Sequence, residues 1–563
     1  MNMGQVLDSK KKKENPAFVT NHMSAGGTRG ILTFGPLIFL EGVTRLPLST
    51  LFNMQSGSSA GAAIAGIMNI PKSRESSEPR YSAIDGEEGY KQILQYAMPK
   101  RKGRMALRLC GKIIRDVHEL RKKLTATICK ELDENLTIAA NFIGRKKHEL
   151  LNSASPYAFK EVNPFGRLND NIIKHFDDVV EEIIDWVFSK ARHDMNVLYR
   201  SVDTAFRYED SNEPVTLGDT LISHHATSIN LTRNKPGLFY HLKDKDGKSS
   251  YVSDPGVYLS DVTAASCAAP IVFDSHVINY MENGGIVSEH YADVGHYDNA
   301  RTPLDTLQGH DEGDPKYRFI IMGTGKDEQE FNVKMLESPV YQMWDVPQIF
   351  MEKINMKGMR QNIGDENVIE IDLPINWKTF STPYNRRGSE KLMRAARLLG
   401  FDLNERDRID PWKKMPSSGT AAKFDTSPEA IEKLSEAKWD MVWHNIDTLA
   451  TQAKWLVNNA AAQGRITEEF AKQAVSNINW LYPPEGHDSS EYPEPETPFP
   501  NLRKAQPSIV IEVPPQPKGL YQSLAAMFRE KSAPIMTIRK RTANDNSNAE
   551  PVSDNRNSGA SPS

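Results

Sequence analysis

The pentapeptide Gly57-Ser58-Ser59-Ala60-Gly61 constrains this chain more than any other segment. It follows an apolar run containing Leu51, Phe52 and Met54 and precedes a small-residue stretch from Ala62 to Ile70. G-x-S-x-G between a strand and a helix is the pattern of a nucleophile elbow: the flanking glycines permit a sharp turn, and the middle serine projects its hydroxyl from the sheet. The positive end of the following helix then points at the site, where a developing oxyanion is stabilised. Alone, the same string also describes a Gly/Ser-rich turn opening a packed helix, so its meaning depends on what accompanies it.

A second glycine cluster lies upstream, Ser24-Ala25-Gly26-Gly27-Thr28-Arg29-Gly30, followed by an apolar stretch from Ile31 to Leu40. Consecutive glycines let backbone N–H groups approach a ligand closely, and such groups at a helix start bind anions. A phosphate loop of the G-x-x-x-x-G-K-[ST] type is excluded, because Ile31 and Leu32 follow Gly30. A third element, Asp293-Val294-Gly295-His296-Tyr297-Asp298-Asn299, lies far downstream. An Asp beside a Gly is by itself an ordinary turn.

Glycine cluster, serine elbow and Asp-x-Gly, in that order, resemble the patatin-like phospholipase family. The stretch from Tyr258 to Phe273 looks like the family's A-T-S-A-A-P segment, and Phe319 to Gly325 looks like its later strand and S-L-G-T-G turn. The chain departs from the pattern at Ser24 and Ala25, in place of Asp and Gly, and at Val294, in place of a second Gly. The resemblance implies an α/β fold: a three-layer patatin-like sandwich with a helical cap insertion, extra C-terminal helices and a disordered tail. It also implies a lipid acyl hydrolase of the phospholipase A or lysophospholipase type with a Ser-Asp dyad. Ser59 would attack the ester carbonyl and Asp293 would accept its proton. The N–H groups of Gly26, Gly27 and Ala60 would hold the oxyanion, and Arg29 would anchor the glycine loop or attract a phosphate head group. Gly57 and Gly61 would shape the elbow. The chemistry is consistent, since a serine hydroxyl is a poor nucleophile without a base in reach.

No metal or other cofactor is needed for such a dyad. Histidines 310, 444 and 487 follow Asp293, so a Ser-Asp-His triad on an α/β-hydrolase is a competing reading, although none has a suggestive setting. Acyl transfer to an acceptor besides water, or lipid binding by a pseudoenzyme on the same fold, would also fit these motifs. His296 and Asp298 read as turn residues. His224 and His225 fall on an expected strand, Leu221 to Leu231, and are read as structural, one facing inward and one outward.

The 563 residues accommodate one large α/β core with helical additions. The expected divisions are a flexible basic lead over 1–20, a catalytic domain over 21–375 with a helical cap insertion at about 88–207, a helical region over 376–482, and a disordered tail over 483–563. Thirteen of the 34 prolines fall in that tail, which sets it apart from a packed domain. Residues 100–123 carry ten Lys/Arg and two acids, with Leu109, Ile113, Val117, Leu120 and Leu124 at helical spacing. A basic amphipathic helix suits a membrane surface or a solvated outer face. Without aromatics it is poorly suited to nucleic acid. Leu520 to Arg529 and the cations Arg539-Lys540-Arg541 are further candidate contacts. The net charge of −4 gives no global attraction to nucleic acid or anionic membrane. Three scattered cysteines and no apolar run of spanning length fit a reducing, cytoplasmic setting, peripheral at membranes. Lys10 to Lys13 precede no apolar h-region, so a Sec signal is not expected. That is compatible with a secreted bacterial effector. The expected partners are a phospholipid or other acyl lipid, a peripheral membrane surface and, as an open question, a protein activator.

Overall fold

The computed structural model describes residues 16–97; 194–310 except 245, 271, 283–284 and 294–300; 316–327; 354–375; 425–495 except 485; and the backbone of 538–540. From the N-terminus, β1 (Phe18–Met23) leads through a 3-10 turn, Gly27–Thr33, to α1 (Phe34–Thr44) and the short α2 (Leu48–Leu51). Then come β2 (Met54–Ser58), α3 (Ala60–Ile67), α4 (Ala83–Ala97) and α5 (Met195–Ala205). The middle of the chain supplies β3 (Ser223–Asn230), β4 (Lys235–Lys243), β5 (Ser249–Val252), α6 (Leu259–Cys267), β6 (His276–Glu282), β7 (Gly285–Ala292) and α7 (Arg301–His310). It is followed by β8 (Tyr317–Met322), β9 (Lys326–Asp327), β10 (Val368–Ile371) and β11 (Pro374–Ile375). Helices α8 (Pro428–His444), α9 (Ile446–Ala462) and α10 (Glu468–Leu481) precede the last strand, β12 (Ile538–Lys540).

The main sheet is ordered β10-β8-β1-β2-β3-β7-β6-β12, with β4 and β5 added beside β3. Strands β10, β8, β1, β2 and β3 are mutually parallel, whereas β4 and β7 run antiparallel to β3. Alternate residues face two different cores. Val19, Met23, Ile320, Met322 and Ala226 join the large core with α1, α3, α6 and the C-terminal helices. Met54, Phe319, Ile321 and Val368 join a smaller one with Leu304 and Leu307 of α7 and Met359. Helices, sheet and helices therefore form three layers.

With both faces covered, the central strands bury polar side chains as well. The register sets His22, Ser56, His225 and Tyr240 side by side on one face, and Asn21, Gln55, His224 and His241 on the other. His22 Nδ1 lies 3.1 Å from Ser56 Oγ, and His225 Nε2 lies 3.1 Å from Thr306 Oγ1 on α7. The expectation that one of His224 and His225 would face outward is corrected here. Both are fully buried, because an alternating strand points one side chain to each face and neither face of this strand meets solvent.

Helix α1 is buried all round: of its residues only Glu41 is part-exposed. Such a helix needs cover on every side. Helices α4, α8, α9 and α10 all pack against it, and Tyr90, Trp443, Leu449, Leu456 and Ile478 belong to the same core. Near this junction Lys438 of α8 is paired with Glu87 of α4, both buried, and Lys91 joins Glu87 at 2.7 Å. Breaking a buried pair from one side strands a charge. We expect Lys438→Met to lose about 3 kcal/mol in urea denaturation, and Glu87→Leu combined with it to recover most of that loss. Equal stability of the single and double variants would contradict this account.

Helices α4 and α5, which lie at the two ends of the expected cap insertion, pack against each other and into the large core. Residues 98–193, with the basic amphipathic segment, lie outside the described residues, as do the basic lead to residue 15 and the Leu520–Arg529 segment. Beyond Tyr482 the chain continues as structure through a capping box at Asp488–Glu491, and Ile538–Lys540 adds a parallel strand along β6.

Candidate active site

The glycine loop and the serine elbow leave adjacent parallel strands at the same level, since Met23 pairs with Gly57. Asp293 arrives there by a different route. Strand β2 lies along one edge of β3 as far as Ser58, opposite Thr227. Above that point β7 takes over the same edge, with Ala292 opposite Ile229, running the other way. Ser59 continues from one side and Asp293 from the other, so both come level with Ser228. Sites at the carboxyl ends of parallel strands, where the connections diverge, are where open α/β sheets bind ligands.

Ser59 sits between β2 and α3 with φ 53° and ψ −126°. For a residue with a Cβ this conformation is strained by roughly 1–3 kcal/mol and persists only when its surroundings enforce it. The flanking glycines follow from close approach. A Cβ on Gly61 would stand 1.9 Å from the Met23 carbonyl oxygen, and one on Gly57 would stand 2.3 Å from that of Gly61. Ser59 is half-buried and Asp293 is 5% exposed, so any base here works largely away from bulk water. Ala60 is the first residue of α3, where backbone N–H groups have no partner within the helix.

Gly26 and Gly27 open the 3-10 turn beside the elbow, Gly27 with φ 54°. Their loop rests on the turn that follows β8. Thr324 Oγ1 donates to the Ala25 carbonyl at 3.0 Å, and Tyr90 of α4 donates to the Gly27 carbonyl at 2.7 Å. Arg29 is 3% exposed and lies under this loop. Its Nε donates to the Thr324 carbonyl at 2.9 Å and a terminal nitrogen donates to that of Gly325. Of the two roles expected for Arg29, this placement favours anchoring over head-group attraction. Arg29→Lys cannot make the forked contact. We expect it to lower kcat about tenfold with KM little changed, measured on a soluble short-chain ester.

The contacts that join the Ser59 and Asp293 segments were not visible in sequence. They come from the end of α6. The Ser59 N–H donates to Ser266 Oγ at 2.9 Å, and the Cys267 thiol donates to the Ser59 carbonyl at 3.0 Å. The Asp293 N–H donates to the Ala268 carbonyl at 2.9 Å. Burial, and secondarily the charge of Asp293, raise the Cys267 thiol far above its ordinary range, so it stays a protonated donor.

The candidate triad histidines have other company. His310 Nε2 lies 3.0 Å from the Tyr240 hydroxyl, His444 ends α8, and His487 pairs with Glu491. Val294, Gly295, His296, Asp298 and Asn299 lie outside the described residues. Among the described residues no three His, Cys, Asp or Glu side chains are gathered as metal ligands, and no helix is long and apolar enough to cross a membrane.

A strained serine between a strand and a small-residue helix, in a mixed sheet with helices on both faces, is the architecture of a nucleophile elbow. The patatin-like phospholipase model matches residues 23–307, more than half of the chain. The protein belongs to that family, whose members are lipid acyl hydrolases. No curated protein matches the chain. Among solved structures, VipD from Legionella pneumophila is similar at 13% identity, covering 83% of this chain and 84% of that one, with a TM-score of 0.25. That likeness is too slight to carry a functional argument.

Proposed function

We propose that the protein hydrolyses fatty-acyl esters of phospholipids or lysophospholipids through an acyl-enzyme on Ser59. Asp293 is the base. Ser59 Oγ attacks the ester carbonyl as Asp293 takes its proton, and the N–H groups of Gly26, Gly27 and Ala60 receive the oxyanion. The proton then passes to the departing alcohol. Water, deprotonated by Asp293, attacks the acyl-enzyme, and the fatty acid leaves as Asp293 returns the proton to Ser59 Oγ. Arg29 acts by holding the oxyanion loop in place.

The observation that carries this reading is the delivery of Ser59 and Asp293 to one level of β3 by strands running in opposite directions. Support also comes from the positive φ of Ser59, which aims a side chain out of the turn between strand and helix. The test is labelling by a fluorophosphonate probe with identification of the modified peptide. In parallel, fatty-acid release from phosphatidylcholine vesicles is followed with and without chelator and with and without a eukaryotic cell extract. The expected result is a label on Ser59 and chelator-insensitive release, while dependence on extract would reveal a protein activator. Undiminished release after complete labelling of Ser59 would remove the assignment.

A further inference from the structure

We propose that Ser266 and Cys267 are positioning residues that hold the elbow in its reactive conformation and set its spacing to Asp293. The inference rests on the dyad proposed for Ser59 and Asp293 and adds the parts that make such a dyad rigid.

Ser59 has one backbone N–H and one carbonyl, and two consecutive side chains of α6 engage them. Ser266 Oγ accepts from the N–H at 2.9 Å, and the thiol of Cys267 donates to the carbonyl at 3.0 Å. The Ser266 hydroxyl has its own hydrogen committed to the Thr227 carbonyl on β3, at 2.6 Å. Its lone pairs are thereby turned toward the elbow. One hydroxyl thus ties the nucleophile's backbone to the strand opposite which Asp293 arrives.

The next residue completes the arrangement, because the Ala268 carbonyl accepts the Asp293 N–H at 2.9 Å. Residues 266–268 therefore reach the nucleophile twice and the base once. These partners leave the Ser59 side chain itself uncommitted to α6. Ser266 is fully buried, so no water can replace its hydroxyl without a rearrangement. A positive φ at a residue with a Cβ relaxes unless contacts oppose it. The Ser266 contact opposes it on the peptide before the Ser59 Cα, and the Cys267 contact, together with the Ala62 and Ala63 N–H groups, on the peptide after it.

Removing either contact should displace Ser59 Oγ without touching the substrate pocket. Misplacement of a reacting atom by about 1 Å costs on the order of a hundredfold in rate. The experiment compares wild type, Ser59→Ala, Ser266→Ala, Cys267→Ala and Cys267→Ser on a soluble short-chain ester. The readouts are kcat, KM, the fluorophosphonate labelling rate and the thermal midpoint. We expect Ser266→Ala to lower kcat and the labelling rate about 10- to 100-fold at unchanged KM, in protein that still unfolds cooperatively. Cys267→Ala should lower both by a smaller factor, and Cys267→Ser, which keeps a donor, should restore them. The Cys267 pair carries the test if Ser266→Ala does not fold.

Wild-type labelling and turnover in both alanine variants would overturn the proposal. So would equal loss in Cys267→Ala and Cys267→Ser, or losses confined to KM. Activity retained by Ser59→Ala would instead overturn the dyad, so the two failures are distinguishable.

Discussion

Ser59→Ala should lower fatty-acid release by at least about a thousandfold, and Asp293→Asn by a comparable factor, with their losses not additive in the double variant. In the proposed dyad nucleophile and base act on the same proton transfer, so removing the second after the first has little left to remove. The two single variants should also differ in a telling way. Ser59→Ala should lose labelling by fluorophosphonate altogether, whereas Asp293→Asn should keep the hydroxyl and label slowly. Neither substitution should shift the thermal midpoint much, because neither changes a core volume and Ser59 is held through its backbone. Measured on phosphatidylcholine vesicles, additive losses of the two substitutions would argue that Asp293 acts on something other than Ser59.

The second large effect is acid lability. Burial lowers His22, His224 and His225 from 6.5 to about 3, and His241 to about 4. Their folded forms therefore resist protonation that the unfolded chain accepts below pH 6.5. Each costs about 1.4 kcal/mol of stability per pH unit as the pH falls from there toward its folded value. Glu41 works in the opposite direction. Burial raises it from 4.5 to about 7, against the N–H groups of Ala83 and Leu48 that favour its charge. Its stabilisation is complete below its unfolded value and is lost as pH rises through 7. Four falling contributions against one rising leave a net slope of roughly 4 kcal/mol per pH unit between about 6 and 4.5. Native proteins have only about 5–15 kcal/mol to lose. We therefore expect cooperative unfolding near pH 5 in urea-free buffer. His225→Gln should flatten the slope by about one proton's worth, whatever it does to stability at neutral pH. Equal denaturation free energies at pH 7 and pH 5 would show that the buried histidines do not govern stability.

How much of this could be read from the chain differs from part to part. The elbow is legible because its glycines answer a steric demand: Gly61 faces the Met23 carbonyl and Gly57 faces Gly61, and no other residue fits either place. The three-layer class is legible from the same turn and from the order of the glycine-rich and aspartate motifs. The role of α6 is not. Its sequence, Leu259 to Cys267, is that of any small-residue buried helix, and nothing in it distinguishes a hydroxyl turned toward Ser59 from one turned inward. The inward and outward assignment of His224 and His225 failed for a related reason. Alternation tells which residues share a face, but whether that face meets water depends on α7, some eighty residues later. Arg29 could be read as anchor or as ligand because a guanidinium suits carbonyls and phosphates equally. Only the distant Thr324 and Gly325 separate the two.

The fastening of the first strand bears on how the chain is made. Ala17, just ahead of β1, is held on both its N–H and its carbonyl by the amide of Asn459 on α9, 442 residues away. Contacts so distant in sequence are late to form. While the ribosome is still adding α8 to α10, the emerging chain carries α1 with its apolar side bare. A polypeptide released at residue 375 would keep that side bare, and exposed apolar surface of this kind drives aggregation. Helices α8 to α10 thus set the length at which a nascent chain first becomes safe from self-association.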